Sequence, residues 1–120
     1  MTYFWVFLGG GIGSIFRYGI AKQINTESFS WPWATFIANL LACLCLGVLV
    51  ALNAKGILKG NLPVLLMTGF CGGFSTFSTF AYESLVLFQN GQPQAAFMNI
   101  FGSVIFGIFG LYLGLKLGGL

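Results

Sequence analysis

The sequence has very few residues with which to perform acid–base, metal or nucleic-acid chemistry. Of its 120 residues, none is histidine, two are acidic and five are basic. Ordinary proteins carry about a quarter charged residues, whereas this chain carries 6%. General acid–base catalysis requires titratable side chains, and nucleic-acid binding requires a basic patch. The composition therefore excludes most enzymes, and we predict neither an enzymatic activity nor nucleic acid as a partner.

The chain is rich in apolar residues and in glycine. Hydrophobic residues make up 58% of the chain, 18 residues are glycine and the mean hydropathy is +0.92. The three cysteines all lie in apolar stretches, and their odd number does not form a disulfide framework. A small soluble domain cannot bury so much apolar surface, so the composition predicts an integral membrane protein in a lipid bilayer.

Four segments are long enough to cross that bilayer as helices, which requires about 20 apolar residues each. The sequence predicts one all-α membrane domain over residues 1–120, with spans at about 3–21, 33–52, 62–88 and 95–115. Three pairs of glycines are spaced for close helix–helix packing in lipid. They are Gly9 with Gly13, Gly69 with Gly73, and Gly110 with Gly114.

The basic residues give the four spans almost no preferred orientation. Lys55, Lys59 and Lys116 fall on one side of the predicted membrane, and Arg17 and Lys22 fall on the other. A count of three against two predicts weak positive-inside control, so the chain could insert both ways. Four short spans also enclose little interior, which favours an oligomer such as an antiparallel dimer. A monomer oriented by minor cues is the alternative.

The third span contains the most informative segment, GFCGGFSTFSTFAYE, from Gly69 to Glu83. Three glycines followed by four hydroxyl residues make a poor membrane helix, so we expect a break there. Freed backbone carbonyls at membrane depth are tolerated where they line a cavity or bind a cation. After the break, Phe77 and Phe80 share one helix face, beside a polar side formed by Ser75, Thr76, Thr79, Tyr82 and Glu83.

Two other spans carry amides at a matching depth. Asn39 lies near the middle of the second span, and Asn99 and Ser103 form an i, i+4 pair on the fourth. Asn39 is either a polar link between helices or a ligand for a passing solute. Because these groups are neutral donors and phenyl edges are electropositive, the set suits a small anion better than a cation.

Three motifs carry a resemblance to a known family. Gly10–Tyr18 (GGIGSIFRY), Thr35–Asn39 (TFIAN) and above all Gly69–Phe80 (GFCGGFSTFSTF) are similar to the motifs of the Fluc fluoride channels, also called CrcB. The resemblance covers nearly the whole chain. It implies an antiparallel, dual-topology homodimer with two pores, which exports fluoride passively across the cell membrane of microorganisms.

The resemblance also implies roles for individual residues. Phe77 and Phe80 match the phenylalanines that line the fluoride path, Asn39 matches the pore asparagine, and Ser78 and Thr79 match its hydroxyl track. The carbonyls of Gly72 and Ser75 match those that hold a structural Na⁺ at the dimer centre. Ser103 continues the pore on the fourth span. There the polar stripe of the family is interrupted, because Gly107 and Leu111 follow at the same spacing.

Two residues and two rival functions stay open at this stage. Arg17 is a candidate pore-mouth cation or the end of the first span, and Glu83 is a pore-mouth or helix-pairing carboxylate. A four-span, proton-coupled drug exporter requires a carboxylate in its substrate cavity, and Glu83 is the only candidate in the spans. An accessory membrane subunit without transport would leave the glycine break unexplained. The second subunit of the dimer is a copy of this chain or a closely related chain.

Overall fold

A computed structural model describes residues 1–24 and 31–120, and the residues described are helices joined by short connections. Helix α1 is Thr2–Ile24 and α2 is Trp33–Ala54. A π-helical segment, Val64–Cys71, is continued by the α-helical turn Gly72–Phe74, and we call the two together α3. Helix α4 is Phe77–Gln89 and α5 is Pro93–Leu117.

The described helices make four spans that are long and apolar enough to cross a membrane, as predicted. Helices α1, α2 and α5 each form one span of 22 to 25 residues, and α3 and α4 together form the third, Val64–Gln89. At about 1.5 Å per residue, each span exceeds the thickness of about 30 Å of the hydrocarbon core. The all-helical membrane fold class is therefore confirmed, and the protein is a multi-pass membrane protein.

Proline and glycine set several of the helix boundaries. Pro32 precedes α2, Pro63 precedes α3 and Pro93 is the first residue of α5, where its missing N–H costs no helical hydrogen bond. Between α4 and α5, Gly91 adopts a positive φ of 74°, which favours glycine. The short turn holds α4 and α5 as neighbours in the membrane.

The predicted break of the third span is confirmed and lies between α3 and α4. Ser75 (φ −86°, ψ 161°) and Thr76 (φ −151°, ψ 125°) have extended backbones. The π-helical part of α3 precedes it, and π-helical turns are frequent at functional sites. The Ser75 N–H still donates to the Cys71 carbonyl at 3.1 Å, but the Thr76 backbone, in the middle of a span, must find hydrogen-bond partners outside its own helix.

Close glycine contacts join the spans in two pairs, α1 with α3 and α2 with α5. A Cβ atom added at Gly13 would lie 2.8 Å from the backbone nitrogen of Phe74. One added at Gly114 would lie 2.9 Å from the backbone nitrogen of Val48. Both distances are too short for a real side chain, so the predicted close packing at these glycines is confirmed. Gly47, which the spacing argument missed, meets Gly114 from the opposite helix.

The interior of one chain is small. Its buried cluster consists of Ala38, Ala42 and Phe74, against which Ile20 and Phe70 pack. Many large apolar side chains instead point outward, Phe77 among them with 78% of its surface exposed. Outward apolar side chains are expected in lipid, where helices associate through close packing and polar contacts.

Candidate functional site

Asn39 of α2 holds the break in the third span. Its Oδ1 atom accepts a hydrogen bond from the Thr76 backbone N–H at 2.7 Å, and its Nδ2 atom donates to the Thr76 carbonyl at 3.1 Å. The amide side chain thus pairs with one residue of extended backbone as a neighbouring β-strand would. The sequence left two roles open for Asn39, and these two hydrogen bonds show that it links two helices.

Thr76 is the residue at which the broken span starts again. Besides its two bonds to Asn39, its Oγ1 atom accepts a hydrogen bond of 3.3 Å from the Thr79 N–H and so caps α4. Sequence reasoning placed Thr76 on the polar side of the helix after the break and missed this capping role. The signal was present, because threonine directly before an apolar helical segment is a preferred N-cap.

Arg17 of α1 supports the other side of the break. Its Nε atom donates to the Gly73 carbonyl at 3.1 Å, and its Nη2 atom donates to Ser14 Oγ at 3.5 Å. In an unbroken helix the Gly73 carbonyl would accept from the N–H of residue 77. Because the helix ends at Phe74, the guanidinium replaces that donor. Arg17 is half-buried within α1, which continues to Ile24.

The break also takes the helical donors away from the carbonyls of Gly72 and Ser75. The Gly72 carbonyl would accept from the Thr76 N–H in a continuous helix, but that N–H donates to Asn39. The Ser75 carbonyl would accept from the Thr79 N–H, which donates to Thr76 Oγ1. The Ser75 hydroxyl itself donates to the Cys71 carbonyl at 3.0 Å. These are the two carbonyls that the family resemblance assigns to a structural Na⁺.

A cavity of about 280 Å³ lies beside the break, and Asn39, Phe77, Phe80 and Ser103 all line it. The rings of Phe77 and Phe80 are 5.8 Å apart between centroids. Among the residues that the structure describes, no charged side chain lines this cavity. The remaining lining residues are Phe36, Leu40, Cys43, Ser75, Thr76, Val104 and Gly107. The structure thus brings four of the sequence-predicted pore residues to one place, although three different spans supply them.

A second, smaller cavity of about 120 Å³ lies on the α1 side of the break. Arg17, Thr35, Thr79 and Glu83 are among the residues that line it. The Glu83 Oε1 atom is buried and has no partner within residues 1–24 and 31–120. The two charged residues that the sequence assigned to a pore mouth therefore share one polar cavity, which adjoins the first at Thr76, a residue that lines both.

Gly72 and Ser78, two of the predicted site residues, are not among the described residues that line either cavity. Gly72 is exposed on the surface of the single chain, and a Cβ atom added there would meet no described atom within 4 Å. Ser78 is also exposed. Gly107, at the interruption of the polar stripe, lines the larger cavity. Because glycine has no side chain, this part of the cavity wall gains no polar group from it.

Fold and site together define a multi-pass α-helical membrane protein that carries a neutral, polar cavity at a broken span. Comparison with known sequences gives the family. The family described as "CrcB-like protein, Camphor Resistance (CrcB)" matches residues 4–115. The chain belongs to this family, as the sequence motifs indicate.

Several relatives in other organisms carry a common name, "Fluoride-specific ion channel FluC". The one from Phocaeicola vulgatus is 41% identical over 111 residues, which cover 92% of each chain. One from Thermus thermophilus is 38% identical over 118 residues, covering 98% of this chain and 94% of the relative. "Fluoride-specific ion channel FluC 2" from Bacillus subtilis is 39% identical over 119 residues, covering 96% of this chain and 88% of the relative. The named relatives are thus ion channels rather than enzymes.

Proposed function

We propose that this chain is the subunit of a fluoride-selective channel, through which fluoride leaves the cytoplasm passively down its electrochemical gradient. The observation that carries the proposal is the larger cavity, whose described lining joins an amide, hydroxyls and two phenyl rings without any charged residue. The names of the relatives support fluoride as the conducted ion. The four-span architecture supports a location in the cell membrane, and export is the direction of net flow that we propose.

The chemistry of the cavity suits a small, strongly hydrated anion. A fluoride ion that enters must exchange water for other donors, and a neutral lining holds it without trapping it. Asn39 Nδ2 uses one of its two protons on the Thr76 carbonyl, so the second is available to the cavity. The electropositive edges of Phe77 and Phe80 add further weak donors. Larger halides are excluded by the width of the pore.

The pore is completed by a second subunit, which is a copy of this chain or a closely related chain. Phe77 lines the cavity and yet is 78% exposed, so a large part of its ring is left for another chain to cover. We propose an antiparallel dimer with two pores, because the near balance of basic residues allows both orientations. Ser78 and Gly72, which are exposed on one chain, then face the partner or the pore.

A structural Na⁺ at the centre of the dimer is consistent with the backbone at the break. The Gly72 and Ser75 carbonyls have both lost their helical donors, and a two-fold axis would bring four such neutral oxygens together. Four carbonyls suit a monovalent ion, since calcium normally recruits carboxylates. Fluoride flux should require Na⁺ during assembly but not depend on its gradient. Full flux and an intact dimer after exhaustive removal of Na⁺ would rule this site out.

The positions of Arg17 and Glu83 favour the channel over a proton-coupled exporter. An exporter of that kind needs its carboxylate in the cavity that binds the substrate. Glu83 instead lines the smaller cavity with Arg17, and it is not among the described residues that line the cavity of the two phenylalanines. We propose that Arg17 and Glu83 lie at the mouth of the pore, where their charges act on arriving ions.

Ion efflux from liposomes tests the proposal. Liposomes that contain the purified protein and are loaded with potassium fluoride should release fluoride rapidly once a potassium ionophore balances the charge, and release chloride barely at all. Either Phe77→Ile or Phe80→Ile should slow fluoride efflux while the dimer stays intact, because the ring edge is lost and most apolar volume remains. Comparable chloride efflux, or fluoride movement that requires a proton gradient, would contradict the channel.

A further inference from the structure

A chain of side-chain hydrogen bonds connects α4 to the wall of the larger cavity. Ser84 Oγ donates to the Phe80 carbonyl at 2.9 Å, and Asn99 Nδ2 donates to Ser84 Oγ at 2.9 Å. Ser103 Oγ in turn donates to Asn99 Oδ1 at 3.3 Å, and Ser103 lines the cavity. Ser84 and Asn99 are almost inaccessible, with 5% and 1% of their surfaces exposed.

The direction of this chain is fixed by the number of protons available. The Phe80 carbonyl can only accept, and two oxygens 2.9 Å apart must share a proton, so the single proton of Ser84 points at that carbonyl. Ser84 Oγ therefore presents a lone pair to Asn99, and only the NH₂ end of the amide can satisfy it. This proton count settles the orientation of the amide. The Oδ1 end must then face Ser103.

The orientation of the Asn99 amide fixes the direction of the Ser103 hydroxyl. Asn99 Oδ1 can only accept, so the one proton of Ser103 points at Asn99 and away from the cavity. Toward the cavity, the Ser103 oxygen offers lone pairs. A lone pair repels an anion in direct contact, but it accepts a hydrogen bond from a water molecule whose other proton points to that anion.

We propose that Asn99 is a positioning residue that keeps Ser103 an acceptor toward the pore, so that Ser103 holds a water of the conducted fluoride rather than the ion itself. This inference rests on the proposed function, because it concerns the same cavity. It changes the role given to Ser103, from a direct ligand to one that acts through water. It also gives a function to Asn99, which lies outside that cavity.

A variant that removes the Ser84 hydroxyl, which holds the Asn99 amide, tests the proposal. In Ser84→Ala, the Asn99 amide is free to turn its NH₂ end toward Ser103. The Ser103 hydroxyl then no longer donates to Asn99 and can donate a hydrogen bond to fluoride. A directly held ion leaves more slowly, so we expect fluoride efflux to fall about threefold, the effect of one net hydrogen bond. In a Ser103→Ala background, the same Ser84→Ala change should have no further effect. Thr68→Val, which removes an exposed hydroxyl from the same span, is the matched control and should leave efflux unchanged.

The outcomes separate this inference from the function on which it rests. An equal effect of Ser84→Ala in both backgrounds, or no effect in either, would overturn the inference while fluoride conduction by the unmodified protein still stood. Failure of the unmodified protein to conduct fluoride would contradict the function instead. The amide orientation is measured without transport by solid-state NMR distances from ¹⁵N-labelled Asn99 Nδ2 to the Cβ atoms of Ser84 and Ser103. A shorter distance to Ser103 would also overturn it.

Discussion

At the scale of single residues, polar side chains take the place of missing backbone partners. Asn39 provides Thr76 with a donor and an acceptor, and Arg17 provides the Gly73 carbonyl with a donor. In lipid no water is available to do this, so an unsatisfied backbone group is costly. These side chains therefore determine whether a broken span can exist at membrane depth, before any ion passes.

Replacement of Asn39 should destabilise the fold as well as reduce conduction. In Asn39→Ala the Thr76 N–H and carbonyl both lose their partner, and we expect a loss of about 1–3 kcal/mol per unsatisfied group. Thermal unfolding of the purified protein measures this loss. Asn53→Ala, at an exposed position near the end of α2, is the matched control. Unchanged stability of Asn39→Ala would mean that the amide serves the pore alone.

At the scale of elements, the spans are held together where glycines let two backbones meet. The contacts of Gly13 with α3 place Arg17, one turn further along α1, next to the Gly73 carbonyl. Helix packing and the hydrogen bonds of the break are thus coupled, because a small shift of α1 would move both.

Gly13→Ala should separate α1 from α3, since its Cβ atom would lie 2.8 Å from the Phe74 nitrogen and 3.1 Å from the Phe70 carbonyl carbon. Backbone atoms cannot give way cheaply, so we expect destabilisation of about 1–3 kcal/mol by overpacking. Gly11→Ala, two residues earlier on the same helix, meets no described atom within 4 Å and should be neutral or slightly stabilising. Thermal unfolding of the two variants side by side makes the comparison. Equal stability would show that α1 does not pack here as described.

The sequence predicts much of the architecture but only part of the site. The four spans follow from hydrophobic runs, and the break follows from the glycines and hydroxyls of Gly69–Glu83, because these are local properties. The bonds from Asn39 to Thr76 join residues 37 positions apart, and no periodicity reports such a contact. The role of Arg17 could not be predicted for the same reason, because its partner Gly73 lies 56 positions away in the sequence.

At the scale of the whole molecule, the proposed channel requires a second subunit in the opposite orientation. Single cysteines in the loop between Lys55 and Lys59, in a background without Cys43, Cys45 and Cys71, should react with impermeant reagents from both sides of the membrane. Two lysines added to that loop should shift the population to one orientation and reduce fluoride flux, because antiparallel pairs become scarce. Labelling of the unmodified loop from one side alone would refute dual topology.

The reversal potential of the current in a planar bilayer tests the central claim most directly. With a fluoride gradient across the membrane, equal chloride on both sides and no pH difference, a fluoride-selective channel should reverse at the equilibrium potential of fluoride. The current should persist when protons are buffered strongly on both sides. Reversal at the chloride potential, or the absence of any fluoride current from protein that is folded and reconstituted, would contradict the account.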